Sequence, residues 1–344
     1  MSRRNITIND IASSLNVAPS TVSRALNNSS RISEKTRIRV QEKARELGYE
    51  INLIASSLSK EETGTIGLII PGINRFFFSQ AASGVESVVR DRGGRLIIAQ
   101  SNETLEREKE ITRMFQSYRV DGVIASLSVE TDEVDHLACL QSRNIPVVLF
   151  DRVHFGLECT KVVVDNFEGA YRAATHLVKT GCKRPAFIGG PFSSKLFQQR
   201  ADGFSEALRD HDIPLQPGFL LTTDLTTTDV HDAMRKWMSR SDPPDGIFTA
   251  SASTGLLVIR IARDYQLGIP DDISIITFGN EPCHEYTHPS LSAIDMPGHD
   301  IGATAARHLL DEIRYGSSEH NLVIAPLQLR IRNSTLKKDG WEKP

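Results

Sequence analysis

The sequence predicts an α/β protein: a body of two similar lobes, each a parallel β-sheet wrapped by helices, preceded by a small all-α head containing a helix-turn-helix. Three observations carry this. From Thr65 onward, short runs that are apolar throughout recur with helix-length gaps between them. Such runs suit strands covered on both faces, the usual situation in parallel sheets. Before Thr65 the periodicity is helical instead, and the charge is basic. Residues 1 to 60 hold ten Lys/Arg against five Asp/Glu, a net of +5, so the rest of a chain with net charge -3 carries -8. Basic charge gathered on one small segment is the electrostatic footprint of a phosphate-backbone partner.

The head begins with TINDIASSLNVAPSTVSRALN, residues 7 to 27. Thr7 and Asp10 have the spacing in which a hydroxyl and a carboxylate satisfy exposed N-terminal amides, so a helix starts there. Ile8, Ile11, Ala12 and Leu15 share one face of it. Asn16 and Val17 form a turn, Pro19 supplies the φ favoured at a first helical position, and Val22, Ala25 and Leu26 face inward on a second helix. Its other face shows Ser20, Thr21, Ser23, Arg24 and Asn27, groups that reach phosphates and base edges when a helix enters a major groove. An ordinary helical hairpin with a polar surface would share this pattern. Ser33 is an N-cap for a third helix ending at Gly48, with Ile38, Val40, Ala44 and Leu47 covering the first two.

The stretch from Tyr49 to Lys60 has room for one short helix capped by Asn52. Helices under about 12 residues rarely persist in water without packing. The segment is therefore either a flexible linker or a helix that folds only beside its copy on DNA.

The body follows in strand-helix alternation. Strands are predicted at 65–71, 95–100, 121–126, 145–150, 161–165, 184–189, 245–250 and 273–278, with LSAI at 291–294 and a final strand region at 322–332. Helices with three- and four-residue apolar spacing lie at 78–92, 105–118, 133–143, 167–179, 199–210, 229–239, 254–265 and 301–314. So many strands exceed one comfortable sheet, which is why two lobes are expected, with a ligand between them outside the carboxyl ends of the strands. The expected divisions are a head at 1–49, a hinge at 50–62 and a body at 63–344. Lobe one takes about 63–160 plus 293–321, and lobe two about 161–292 plus 322–344.

Composition limits the alternatives. With 344 residues, 40% hydrophobic and 24% charged, the chain has material for two or three domains. MSRRNITIND lacks the apolar run of a signal peptide and no stretch approaches 18 apolar residues, so a cytoplasmic protein without a membrane partner is expected. Cys139, Cys159, Cys182 and Cys283 fit no C-x-x-C motif and are expected as free thiols. Gly93-Gly94 and Gly189-Gly190 make neither a dinucleotide fingerprint nor a P-loop. Cys283-His284, with His288 nearby, offers either a nucleophile and base or two metal ligands, but a structural use is the expectation. No catalytic residue, cofactor or metal is therefore expected, and the chain reads as no enzyme. A solute-binding protein without DNA activity would generally carry a signal peptide rather than a basic head.

Taken together, T-I-N-D-I-A, V-A-P-S-T-V-S-R-A-L-N, R-I-S-E-K-T-R, N-L-I-A-S-S-L and G-T-I-G-L-I-I-P, followed by V-D-G-V-I-A, I-P-V-V-L-F-D-R, R-A-D-G-F and G-I-P-D-D-I-S-I-I-T-F, resemble the lac-repressor family of bacterial transcription regulators nearly to residue 300. The resemblance implies a homodimer, sometimes a tetramer. Its heads bind a palindromic operator, its body resembles periplasmic sugar-binding proteins, and it acts as a repressor controlled by a carbohydrate-type effector. It implies that Pro19, Ser20 and Arg24 face bases, that Thr21, Ser23 and Asn27 position phosphates, and that Leu58 wedges into the minor groove. Thr7, Asn52 and Ala55 complete the implied DNA-binding set. Unstacking a base step costs a few kcal/mol, which bending and extra contacts must offset.

For the effector, the resemblance implies Asn74, Phe77 and Phe78 from lobe one, Arg152 and Asp165 at the hinge-side wall, and Arg200 holding ligand oxygens. Ser251 and Asn280 complete the implied set, from Ser251-Ala252 and Gly279-Asn280, which stand where many sugar-responsive members carry an Asn-Asp pair and, after the aromatic ending the strand, an Asp. The family usually has Ser where this chain has Ala18, Pro before the hinge Asn where Ile51 stands, and Arg where Ser56 stands. With fewer aspartates on lobe two, Arg152 and Arg200 are expected to be poorly neutralised. A sugar acid or sugar phosphate then joins a neutral sugar as a candidate ligand.

Overall fold

The structure, a computed structural model, describes residues 6–26, 29, 31–49, 63–316 and 320–336. The chain divides into two compact units, 1–63 and 64–344. The expected DNA contacts Asn27, Asn52, Ala55 and Leu58 lie outside the described residues, as does the whole expected hinge at 50–62.

The head is three helices, α1 (Ile8–Leu15), α2 (Pro19–Leu26) and α3 (Glu34–Glu46). Thr7 closes a reciprocal capping box with Asp10 on α1, Asn16 ends that helix in the left-handed conformation, and Ser33 caps α3. Ile11, Ala12, Val22, Ala25, Val40 and Ala44 are the buried core. Ile38, expected in that core, is instead 47% exposed. Helical periodicity places Val40 and Ala44 inward, and three helices this short leave no surface for a wider apolar stripe on α3.

The body holds two six-stranded sheets. In chain order its elements are β1 (Thr65–Ile70), α4 (Phe76–Asp91), β2 (Arg95–Gln100), α5 (Leu105–Tyr118), β3 (Gly122–Ala125), α6 (Asp135–Gln141), β4 (Val147–Phe150), β5 (Lys161–Val164), α7 (Asn166–Lys179), β6 (Pro185–Gly189), α8 (Lys195–Asp210), β7 (Leu220–Thr222), α9 (Thr227–Met238), β8 (Gly246–Thr249), α10 (Ala252–Asp264), β9 (Ser274–Phe278), α11 (Cys283–Tyr286), β10 (Ser292–Asp295), α12 (Gly298–Tyr315), β11 (Leu322–Ala325) and β12 (Gln328–Arg330). The first sheet runs β11-β5-β4-β3-β1-β2 and the second β12-β10-β9-β8-β6-β7. Every pairing is parallel except β10 with β12.

This pairing corrects the lobe boundaries. Strand β5 and strand β11, expected in the second lobe, belong to the first sheet, whereas β10, expected in the first, belongs to the second. The region 322–332 is two strands, one on each sheet, and not one. The chain thus crosses between lobes after β5, after β10 and after β11. Met296 and Leu327, in the second and third crossings, pack against the buried cores of both lobes. Strand β7 has no predicted counterpart: two half-buried leucines and an exposed threonine make a strand of three residues, too short for a pattern to mark. Helix α8 starts at Lys195, four residues before its predicted start.

In each lobe one helix pair packs at backbone contact through glycine. A Cβ on Gly302 of α12 would lie 2.0 Å from the Ala81 carbonyl oxygen of α4, and one on Gly84 of α4 equally close to the His299 oxygen of α12. In the second lobe a Cβ on Gly203 of α8 would lie 2.2 Å from the Phe167 oxygen of α7. Only glycine admits such approach, and it fixes the helices that flank the cleft.

Candidate nucleic-acid interface and effector site

On the head, the turn between α1 and α2 sets what the second helix shows. The left-handed Asn16 (φ 52°) reverses the chain, and the Ala18 carbonyl accepts from the amides of Thr21 at 2.8 Å and Val22 at 3.2 Å. Ala18 has no hydroxyl to cap those amides. Val22 and Ala25 are buried, which leaves Pro19, Ser20 and Arg24 exposed on the opposite face and Thr21 and Ser23 half-buried beside them. Thr7 is exposed, its hydroxyl held by Asp10 at 2.7 Å. The described face is therefore small hydroxyls around one guanidinium, with an apolar underside that orients it.

In the body, the carboxyl ends of both sheets meet at a cleft crossed by the three connections. Arg200, on α8, is 4% exposed. Its Nε donates to Asn166 Oδ1 at 2.9 Å and its Nη1 to the Ala250 carbonyl at 2.6 Å, while among the described residues Nη2 meets only the Met296 sulfur at 3.9 Å. The guanidinium stands 3.6 Å from the centroid of the Phe278 ring and 5.9 Å from that of Phe197. Burial lowers its pKa to about 9 even though the Asp151 charge opposes the drop. A guanidinium whose hydrogen-bond partners are neutral, with Nη2 meeting only a sulfur among the described residues, has donor capacity left for an oxygen acceptor.

The facing wall is acidic, which the sequence reading did not foresee. Glu103 follows β2 and Asp151 follows β4, both at positive φ, 66° and 58°. Such backbone costs of order 1–3 kcal/mol, less for Asp than for Glu, and is retained where surrounding structure demands it. Glu103 accepts from Arg152 Nη1 and from the Val129 amide, and Arg75 stands 3.2 Å away. Burial pushes the Glu103 carboxyl up, but the Arg152 charge and hydrogen bond, with Arg75 and the Val129 amide, bring it below its ordinary value. Asp151 is pushed up by burial against the pull of Arg152, Arg200 and Arg75. Among the described residues its carboxyl accepts no hydrogen bond. The expectation that both arginines stand poorly neutralised is therefore corrected for Arg152, which Glu103 pairs, and tempered for Arg200, which feels Asp151. Phe155, from the loop after β4, lies 4.8 Å under the Lys195 ammonium of α8, a contact across the cleft.

The other expected effector residues divide. Asn74 is exposed on the loop after β1 and Phe77 is half-buried. Phe78 is only 2% exposed inside the first-lobe core, packed edge-on against Phe150 with the Arg152 guanidinium above it, so it supports the wall and does not line it. Asp165 is the N-cap of α7, accepting the Glu168 amide at 2.9 Å, and its neighbour Asn166 is the residue that meets Arg200. Ser251 stands at the N-cap position of α10 without a side-chain bond to the helix amides; its hydroxyl meets the Thr254 hydroxyl at 2.7 Å and its carbonyl accepts from the Thr277 hydroxyl at 2.8 Å. Asn280 lines a separate concavity of about 530 Å³ with Glu285, Asp295, Arg330 and Arg332, and its buried Oδ1 has no partner. The structure brings Arg200 together with Asn166, Phe197, Phe278, Met296 and Asp151. Of these, Asp151 stands in the F-D-R string beside Arg152 and Phe278 ends the I-S-I-I-T-F string, but only the fold brings them to Arg200.

All four cysteines are free thiols. Among the described residues no helix is long and apolar enough to cross a membrane.

Comparison with known proteins agrees with both units. Residues 7–52 match the model of bacterial regulatory proteins of the lacI family, and residues 174–335 match a periplasmic binding protein-like domain. Catabolite control protein A of Staphylococcus xylosus is 30% identical over 332 residues, covering 96% of this chain and 99% of that protein. A lac repressor dimer bound to operator shares the fold at TM-score 0.86 and 22% identity, over 97% of this chain and 100% of that one. The transcriptional regulator CelR in complex with cellobiose is similar at TM-score 0.72 and 25% identity, over 96% of this chain and 100% of that one. The helical head, the two-lobed body and these matches make one conclusion: the chain belongs to the lacI family of bacterial regulatory proteins, DNA-binding transcription regulators with an effector-binding domain.

Proposed function

We propose that this regulator is a cytoplasmic, non-enzymatic repressor that binds a palindromic operator as a homodimer and responds to a neutral sugar held between its lobes. The head at 1–49 reads DNA through Pro19, Ser20 and Arg24, with Thr7, Thr21, Ser23 and Asn27 on phosphates. Residues 50–62, with Asn52, Ala55 and Leu58, form a hinge that orders on the operator, and 63–344 is the sensing body. Ligand-driven lobe closure changes the spacing from which two hinges emerge, and so biases their ordering.

The Asp151 charge that acts on Arg200 without a direct bond between them carries the choice of ligand. A sugar hydroxyl accepts from Arg200 Nη2 and donates to Asp151, satisfying both, while Phe278 and Phe197 border the site with apolar ring surface. A sugar acid or sugar phosphate gains Arg200 but brings its anion toward Asp151 and Glu103, with Arg152 already paired. The cellobiose complex of CelR supports a neutral sugar in such a cleft.

A thermal-shift screen of neutral sugars, sugar acids and sugar phosphates tests this, because binding to the folded state raises its melting temperature. Stabilisation by a neutral sugar, with release of selected operator DNA, is expected. Stabilisation only by anionic compounds contradicts the ligand assignment.

A further inference from the structure

We propose that Glu281, Cys283 and His284 form a site for one divalent cation of the zinc class. The three residues open the segment after β9, on and just before α11, outside the Arg200 contacts. A carboxylate oxygen, the thiol sulfur and an imidazole nitrogen lie within 4.8 Å of one another. The Cys283 sulfur is 3.7 Å from Glu281 Oε2. Tetrahedral zinc, with bonds of about 2.3 Å to sulfur and about 2.0 Å to oxygen, holds those two atoms about 3.5 Å apart. The sulfur-oxygen edge is thus already at coordination distance, and an imidazole nitrogen lies within 4.8 Å of both atoms.

His284 supplies the independent observation. It is wholly buried, yet among the described residues Nε2 has no well-formed hydrogen bond, with the Ala252 backbone its nearest polar support, and Nδ1 receives a 3.4 Å contact from the Glu281 amide. A buried polar side chain left so poorly satisfied costs free energy unless something binds it. Arg332 is tied to Glu285 at 3.1 Å and to the Leu291 carbonyl at 2.7 Å.

Thiolate, imidazole and carboxylate together select zinc, cobalt or nickel over magnesium or calcium. On binding, the sulfur-metal bond forms as the thiol proton leaves to solvent, and the Cys283–Glu281 hydrogen bond gives way to two metal bonds. Three protein ligands leave a fourth position for water or another donor. The loaded site would pin the turn that follows Gly279-Asn280 at the second-lobe end of the cleft.

The test is titration of the reduced, chelator-treated full chain with Co²⁺ alone, followed by displacement with Zn²⁺. One Co²⁺ per chain is expected, with tetrahedral visible bands and a thiolate-to-cobalt charge-transfer band that Zn²⁺ abolishes. Cys283→Ser, at an exposed position, should remove the charge-transfer band, and Glu281→Gln should weaken binding at least about tenfold. Cys139→Ser, at the other exposed thiol, should leave both unchanged. Absence of saturable binding, or a spectrum unaltered by Cys283→Ser, overturns the site.

Discussion

The Arg200 guanidinium carbon lies 3.6 Å from the centroid of the Phe278 ring while its Nε and Nη1 are spent on Asn166 and the Ala250 carbonyl. That arrangement holds the group in one orientation and leaves Nη2 as the donor available to the proposed effector. Phe278 ends β9 and Arg200 sits on α8, so the proposed contact would reach two elements of the second lobe at once.

Arg200→Lys should therefore act almost as a deletion. Lysine keeps the charge but has neither the planar fork nor the stacking face. Losing charge-assisted bonds worth about 1.5–3 kcal/mol should weaken effector binding roughly 10- to 150-fold. Operator affinity without effector should stay unchanged. Calorimetry with the sugar from the screen reads the first, and fluorescence anisotropy on DNA the second.

Gly302→Ala tests the helix contact that frames the first lobe. The added methyl meets the Ala81 carbonyl backbone, which a side-chain rotation cannot relieve. Overpacking of this kind costs about 1–3 kcal/mol or more. Urea denaturation should show a lower midpoint, and an unchanged midpoint would mean that α4 and α12 separate freely.

The buried His176 makes stability depend on pH. Burial lowers its pKa from 6.5 to about 4, and its Nε2 is 2.8 Å from the Thr335 hydroxyl. The folded-state value lies below the unfolded one, so the unfolded chain takes up the proton first. This contribution is present above about pH 6.5 and is lost as pH falls towards 4, roughly 2 kcal/mol of it by pH 5. Urea midpoints at pH 7 and pH 5 should differ accordingly, and less in His176→Gln.

Ala18→Ser restores a hydroxyl where α2 begins without one. The cap should stabilise that helix by about 1 kcal/mol, slowing hydrogen exchange at the Thr21 amide about fivefold. Unaltered exchange would mean that Pro19 and the Ala18 carbonyl already hold the turn.

Much of the architecture was legible because its cause is local. Thr7 with Asp10, Asn16, Pro19, Ser33 and Gly48 mark the head by capping chemistry that needs no tertiary contact. The strands of the body announce themselves as apolar runs such as TIGLII and SIITF. What was hidden depends on distance in space. Whether β5 pairs with β4 or with a second-lobe strand is decided by a crossover three residues later, which periodicity does not encode. Glu103 and Asp151 look like surface acids until left-handed backbone at two strand ends sets them beside Arg152 and Arg200. Asp165, which the resemblance implies at the hinge-side wall, caps α7, a bond that sequence alone does not separate from ligand contact because caps and ligands use the same short carboxylate. The hinge residues Asn52, Ala55 and Leu58 rest on family resemblance alone.

The most direct measurement of the central claim is selection of bound duplexes from a random DNA library by the full-length wild-type chain, alongside Arg24→Ala. The account predicts enrichment of one inverted-repeat sequence by wild type, loss of that enrichment in the variant, and affinity for the selected site that falls steeply with salt, each neutralised phosphate adding about -0.9 to the log-log slope. A pool without a shared motif, or the same motif selected by Arg24→Ala, would contradict it.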